Sequence, residues 1–89
     1  MEYLIVFPKA NLAIKAEKAL LNSGLSVSVM PLPPEIDSGC GIALRVDEAS
    51  LNDALNALEL VTVYSREHTP GGYKYSKIGE FNGSSAVNP

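Results

Sequence analysis

The chain has 89 residues, 46% hydrophobic and 19% charged, with a net charge of −3 and one cysteine. That length holds one small domain rather than two, and ordinary apolar content with low net charge excludes disorder. One cysteine and one histidine exclude an intrachain disulfide and a cysteine-rich zinc site, and the acidic balance argues against phosphate-backbone binding.

No apolar run is long enough to span a bilayer. Met1-Glu2 lacks the basic start of a signal peptide, so the expected compartment is the cytosol, where a free thiol stays reduced. A chain of this size buries only roughly 60–65% of its unfolded surface. A homodimer that covers a sheet face or edge is therefore expected.

Residues 3–7, YLIVF, predict a strand covered on both faces, ended by Pro8. Asn11 is the expected cap of a first helix, in which Leu12, Ala16, Ala19 and Leu20 share a face. Gly24 ends it in a left-handed conformation. Leu25, Val27 and Val29 alternate with Ser26, Ser28 and Met30, the pattern of a strand with one apolar face.

Residues 31–41, PLPPEIDSGCG, read as a connection, since their prolines and glycines do not continue a ladder. A third strand covers 42–46. Asp47 caps a second helix with the stripe Leu51, Ala54, Leu55, Leu58. A fourth strand covers 61–66. Thr69-Pro70-Gly71-Gly72 is a turn signal, and Tyr73, Tyr75 and Ile78 supply a candidate fifth strand in a hairpin with the fourth. The fold class is α+β. The order βαββαβ predicts a ferredoxin-like sandwich, with two helices on one face of an antiparallel sheet and the other face open. The expected domain is 1–78, with 79–89 as a flexible polar tail.

Chemistry concentrates at Asp37-Ser38-Gly39-Cys40-Gly41. Glycine on both sides leaves the Cys40 sulfur approachable, and Gly39 and Gly41 let amide N–H groups converge into a small anion site. Such a site favours thiolate, and Ser38 adds a donor. The plainer alternative is that Cys40 is a buried, structural thiol. Arg45 and Arg66 are candidate ligands for an anionic cargo, or surface ion pairs of little energy. Glu35 and Asp37 read as solvated charges. His68 reads as a surface residue at a turn rather than a base for the thiol. Tyr64, Tyr73 and Tyr75 are expected to line the open sheet face, at an edge or a dimer interface. No metal or cofactor is expected.

The stretch PLPPEIDSGCGIALRV, with the helix NLAIKAEKALLNSG before it, resembles the selenium/sulfur carrier-like family of small bacterial domains. The resemblance runs from residue 2 to about residue 66. It rests on Pro31, Pro33, Glu35, Ile36, Ser38, Cys40, Gly41, Ala43, Leu44 and Arg45. This chain has Pro34 where that family often has arginine, and Asp37 and Gly39 where it prefers serine. Asp37 opposes a thiolate electrostatically.

The resemblance implies a carrier that holds sulfur or selenium on Cys40 as a persulfide-type adduct. Gly39, Gly41, Ser38 and Arg45 would surround the cargo, and a cysteine desulfurase-type donor and an acceptor protein would be its partners. One thiol suffices for that role, because the next acceptor removes the cargo. The alternatives are a non-catalytic small-molecule-binding or regulatory module with a structural Cys40, or an interaction subunit joined through a sheet face or edge. No stand-alone enzyme activity, nucleic acid or membrane is implied.

Overall fold

Leu4 and Ile5 are adjacent in sequence, both fully buried, and point to opposite faces of a sheet. They belong to β1, Glu2–Val6, the middle strand of five. The computed structural model describes residues 1–36 and 41–83. After β1 come α1 (Ala10–Asn22), β2 (Val27–Pro31), β3 (Ile42–Asp47), α2 (Glu48–Asn56), β4 (Val61–Thr69) and β5 (Gly72–Phe81). Every pairing is antiparallel, in the order β2-β3-β1-β4-β5.

The helix ends follow from local chemistry, with one correction. The residue that caps α1 is Lys9, extended at φ −140° and ψ 147°, with no side-chain cap. Asn11 therefore lies inside the first turn. Ala10 is a strong helix former, and the Leu12 N–H already donates to the Lys9 carbonyl at 3.1 Å. At the other end, Gly24 adopts φ 85°. Its N–H donates to Leu21 O, and that of Leu25 to Leu20 O, both at 3.0 Å. This is a Schellman motif. It uses Leu25 as its outer residue, so β2 starts at Val27. Asp47 caps α2 as expected, its Oδ1 accepting from the Ser50 N–H at 3.0 Å.

Both helices cover the same sheet face. Ala13, Ala16 and Leu20 of α1 and Ala54 of α2 pack on Ile5, Leu44, Val46 and Val63. The opposite face was expected to be open, and across its centre it is not. Leu4, Val6 and Ala43 form a second buried cluster with Ile36, which is only 4% exposed. Leu32, Met30, Tyr64 and Tyr75 pack around it. The proline-rich connection thus folds back over the sheet. Burying Ile36 there is worth about 1.5–3 kcal/mol.

Pro31 is also part of the ladder, as the last residue of β2, opposite Ile42. Proline is tolerated because β2 is an edge strand. The fifth strand forms as a hairpin with β4, closed at Thr69↔Gly72. A register shift after Val63 leaves Ile78 as the extra residue of a bulge. Beyond the expected end of the domain at residue 78, Gly79, Glu80 and Phe81 continue β5. The Gly83 N–H then donates to Leu58 O at 2.9 Å, just past α2.

Candidate functional site

Asp37, Ser38, Gly39 and Cys40 lie outside the described residues. The residues on either side of them are held firmly. The Ile36 N–H donates to Pro33 O at 3.0 Å, closing a turn, and the Ile36 side chain is locked in the second cluster. Pro33 is buried, whereas Pro34 and Glu35 face solvent, which agrees with Glu35 as a solvated charge. At the other side, Gly41 has φ 80°, a conformation that L side chains rarely adopt. Its carbonyl accepts the Leu32 N–H at 3.0 Å. One more rung therefore follows Pro31↔Ile42, between Leu32 and Gly41.

Arg45 lies farther along β3, opposite Leu4 and Ser28. Its Nη1 reaches Glu2 Oε2 at 2.7 Å. Arg66 sits across β1 from it, with Nη1 3.5 Å from the other oxygen, Glu2 Oε1. One carboxylate therefore serves two guanidinium groups, so these three described side chains together carry one net positive charge. Arg66 is the more enclosed of the two, at 14% side-chain exposure. It lies over the Tyr73 ring, 3.8 Å from the centroid, and its Nη1 meets Met30 Sδ at 3.6 Å. Its Nε is buried with no partner among the described residues.

The two arginines named from sequence are thus brought together, by Glu2. Glu2 itself was missed, because only the pairing Glu2↔Arg66 and Glu2↔Asp47 reveals its place.

His68 is not brought to the loop. It makes an edge contact with Tyr73, with ring centroids 5.2 Å apart. Arg66 pairs with Glu2, so His68 lies beyond that end of β1. Gly41 enters β3 at the other end. At about 3.3 Å per residue, the two ends are on the order of 20 Å apart. A hydrolase reading with His68 as base has no support in this arrangement. The tyrosines fall as expected on the second face: Tyr64 and Tyr75 pack in its cluster, and Tyr73 lies beneath Arg66.

Two concavities flank the end of the sheet that carries Phe7 and Pro8. One, of about 280 Å³, is lined by Val6, Phe7, Leu60, Thr62, Tyr64 and Glu80 among others. The second, of about 430 Å³, runs between α1 and the segment after α2, past Leu12, Lys15, Ala19, Leu58 and Leu60. No group of three or more potential metal ligands occurs among the described residues. No described helix is long and apolar enough to cross a membrane.

A family model described as "Putative Se/S carrier protein-like" matches residues 2–66. The match includes the whole loop with Cys40, as well as Arg45 and Arg66, and stops before β5. No curated protein matches, and no solved structure matches.

Proposed function

Because this chain belongs to the Se/S carrier protein-like family, we propose that it carries sulfur or selenium as a covalent adduct on Cys40. The observation that carries this reading is the family match across residues 2–66, which takes in the chain's one cysteine. The anchoring of Ile36 and Gly41 on either side of residues 37–40 supports it. A carrier thiol must be presented to two different proteins in turn, and two fixed points, Ile36 and Gly41, only a few residues from Cys40 in sequence suit that task.

In the proposed step, the Cys40 thiolate attacks the outer sulfur of a donor persulfide, R–S–SH. The new S–S bond forms Cys40–S–SH, the donor's S–S bond breaks, and the donor leaves as its thiolate. No net oxidant is consumed. An acceptor thiolate then takes the outer sulfur and restores Cys40. The selenium analogue is Cys40–S–SeH. The donor is of the cysteine desulfurase type, and the exchange takes place in the cytosol. Ser38 and the amides flanked by Gly39 and Gly41 stabilise the anionic sulfur. Arg45, paired with Glu2 farther along β3, stands outside this step.

The strand order β2-β3-β1-β4, with both helices on one face, reads as the ferredoxin-like arrangement, to which β5 is an added edge.

Incubation with a cysteine desulfurase and cysteine, followed by intact mass measurement, tests the proposal. One added sulfur is expected on the wild type and none on Cys40→Ser. Absence of the adduct on the wild type overturns it. A second reading, a small-molecule-binding module with a structural Cys40, is favoured by the 430 Å³ groove beside α1. It predicts instead that Cys40 resists a thiol reagent until the protein is denatured.

A further inference from the structure

The two edges of the sheet are finished differently. On β2, the Leu32 N–H bond to Gly41 O marks Leu32, Met30 and Ser28 as the residues bonded to β3. Val27, Val29 and Pro31 therefore turn their backbone groups outward. Pro31 has no N–H to offer, and the Val29 N–H is taken by Glu17 Oε2 of α1 at 3.0 Å. That edge is closed to another strand.

β5 has no such closure among the described residues. Thr69↔Gly72 closes a two-residue loop, so it is a hydrogen-bonded pair, as are Glu67↔Lys74 and Ser65↔Ser76. The alternate residues Tyr73, Tyr75 and Lys77 turn their N–H and C=O groups away from β4. No proline stands at these positions, and no described side chain occupies them. Tyr73 is 44% exposed, and Ile78, at the bulge that ends this regular stretch, is 52% exposed.

We infer that the β5 edge pairs with the β5 edge of a second copy of this chain, antiparallel about a two-fold axis at Tyr75. This register matches outward-facing residues with outward-facing residues throughout. Tyr75 opposes its own copy, and Tyr73 opposes Lys77, each pair exchanging both backbone bonds. Side chains opposite one another share a face. Lys77 then lies beside the Tyr73 of the second copy, with Glu80 3.8 Å from the lysine within its own chain supplying the opposite charge. Lys74 meets Ser76. An axis at Lys77 would set that lysine against itself, which is destabilising. An axis at Tyr73 would oppose Tyr75 to Gly71 in the turn. On the second face the tyrosines of the two copies join into one row, continuing the contact of Tyr73 with Tyr75, whose centroids are 6.4 Å apart.

The inference does not depend on Cys40. Light scattering after size exclusion, run with reductant and repeated on Cys40→Ser, should give twice the 9.5 kDa chain mass. Amide exchange at Tyr73, Tyr75 and Lys77 should slow as protein concentration rises. Lys77→Pro removes one outward N–H without touching a bond to β4, and should return the single-chain mass. A single-chain mass for the wild type at all concentrations overturns the inference. So does a dimer that survives Lys77→Pro. If Lys77→Pro fails to fold, exchange in the wild type decides: rates at these amides that ignore concentration overturn it.

Discussion

Glu17, on the first helix, accepts the backbone N–H of Val29, on the edge strand, at 3.0 Å. The contact ties α1 to β2 and blocks the outward face of that strand. A hydrogen bond to a charged acceptor is worth about 1.5–3 kcal/mol. Part of this returns when the freed N–H meets water, so Glu17→Ala should destabilise the protein by about 1 kcal/mol. Urea denaturation measures the change. Amide exchange should also quicken at Val29, while Glu17→Gln, which keeps an acceptor oxygen, should protect that amide better than alanine does.

Ile36 is the one described residue of the 33–36 turn whose side chain enters the second cluster. Ile36→Ala should cost about 2–4 kcal/mol, and Ile36→Val about 1 kcal/mol, since the cavity grows with the atoms removed. Chemical denaturation checks both. If the turn is held mainly by this side chain, alanine should also raise proteolysis within 33–41, whereas valine should not.

Gly41 isolates a pure backbone effect. A Cβ there would meet nothing within 4 Å among the described residues, so its φ of 80° is the obstacle they show to a side chain. Gly41→Ala should destabilise by about 1–2 kcal/mol. Gly41→Asn should cost less, because asparagine tolerates the left-handed region. Thermal unfolding of the two variants should rank them in that order.

Gly83 is the opposite case. A Cβ there would stand 2.5 Å from Leu55 O and 2.7 Å from both Asn56 O and Leu58 O. Gly83→Ala must displace the segment from the end of α2 and lose the bond to Leu58 O. The expected cost is about 1–2 kcal/mol, with faster amide exchange at Gly83. Gly71→Ala, in the β4–β5 turn with open space around it, is the control and should cost less.

Arg45 and Arg66 show the limit of reading a site from sequence. Their charge marks them as anion ligands, but not what already occupies them. Glu2 is 43 positions from Arg45 in the chain, and no spacing rule links the two. Antiparallel pairing of β1 with both β3 and β4 puts Glu2 between them. His68 illustrates the same limit in reverse. It is a plausible base by residue type, yet the direction of β4 carries it to the end of the sheet opposite Gly41.

What the sequence determined by itself was much of what is governed by neighbours a few residues apart. The Asp47 cap, the Schellman ending at Gly24, the two-sided burial of Leu4 and Ile5, and the β4–β5 turn all rest on periodicity or backbone preference. Family membership was legible too, in the Cys-Gly motif and its flanks. The tertiary structure decided what depends on register and on competition between distant groups. Lys9 stands at the start of α1 because Ala10 already continues the helix. Pro31 joins a ladder because its missing N–H faces away from β3. Ile36 closes over the second sheet face because Leu4, Val6 and Ala43 would otherwise be left in water. The last two have no local signal, since each depends on which edge and which face the assembled sheet leaves to be covered.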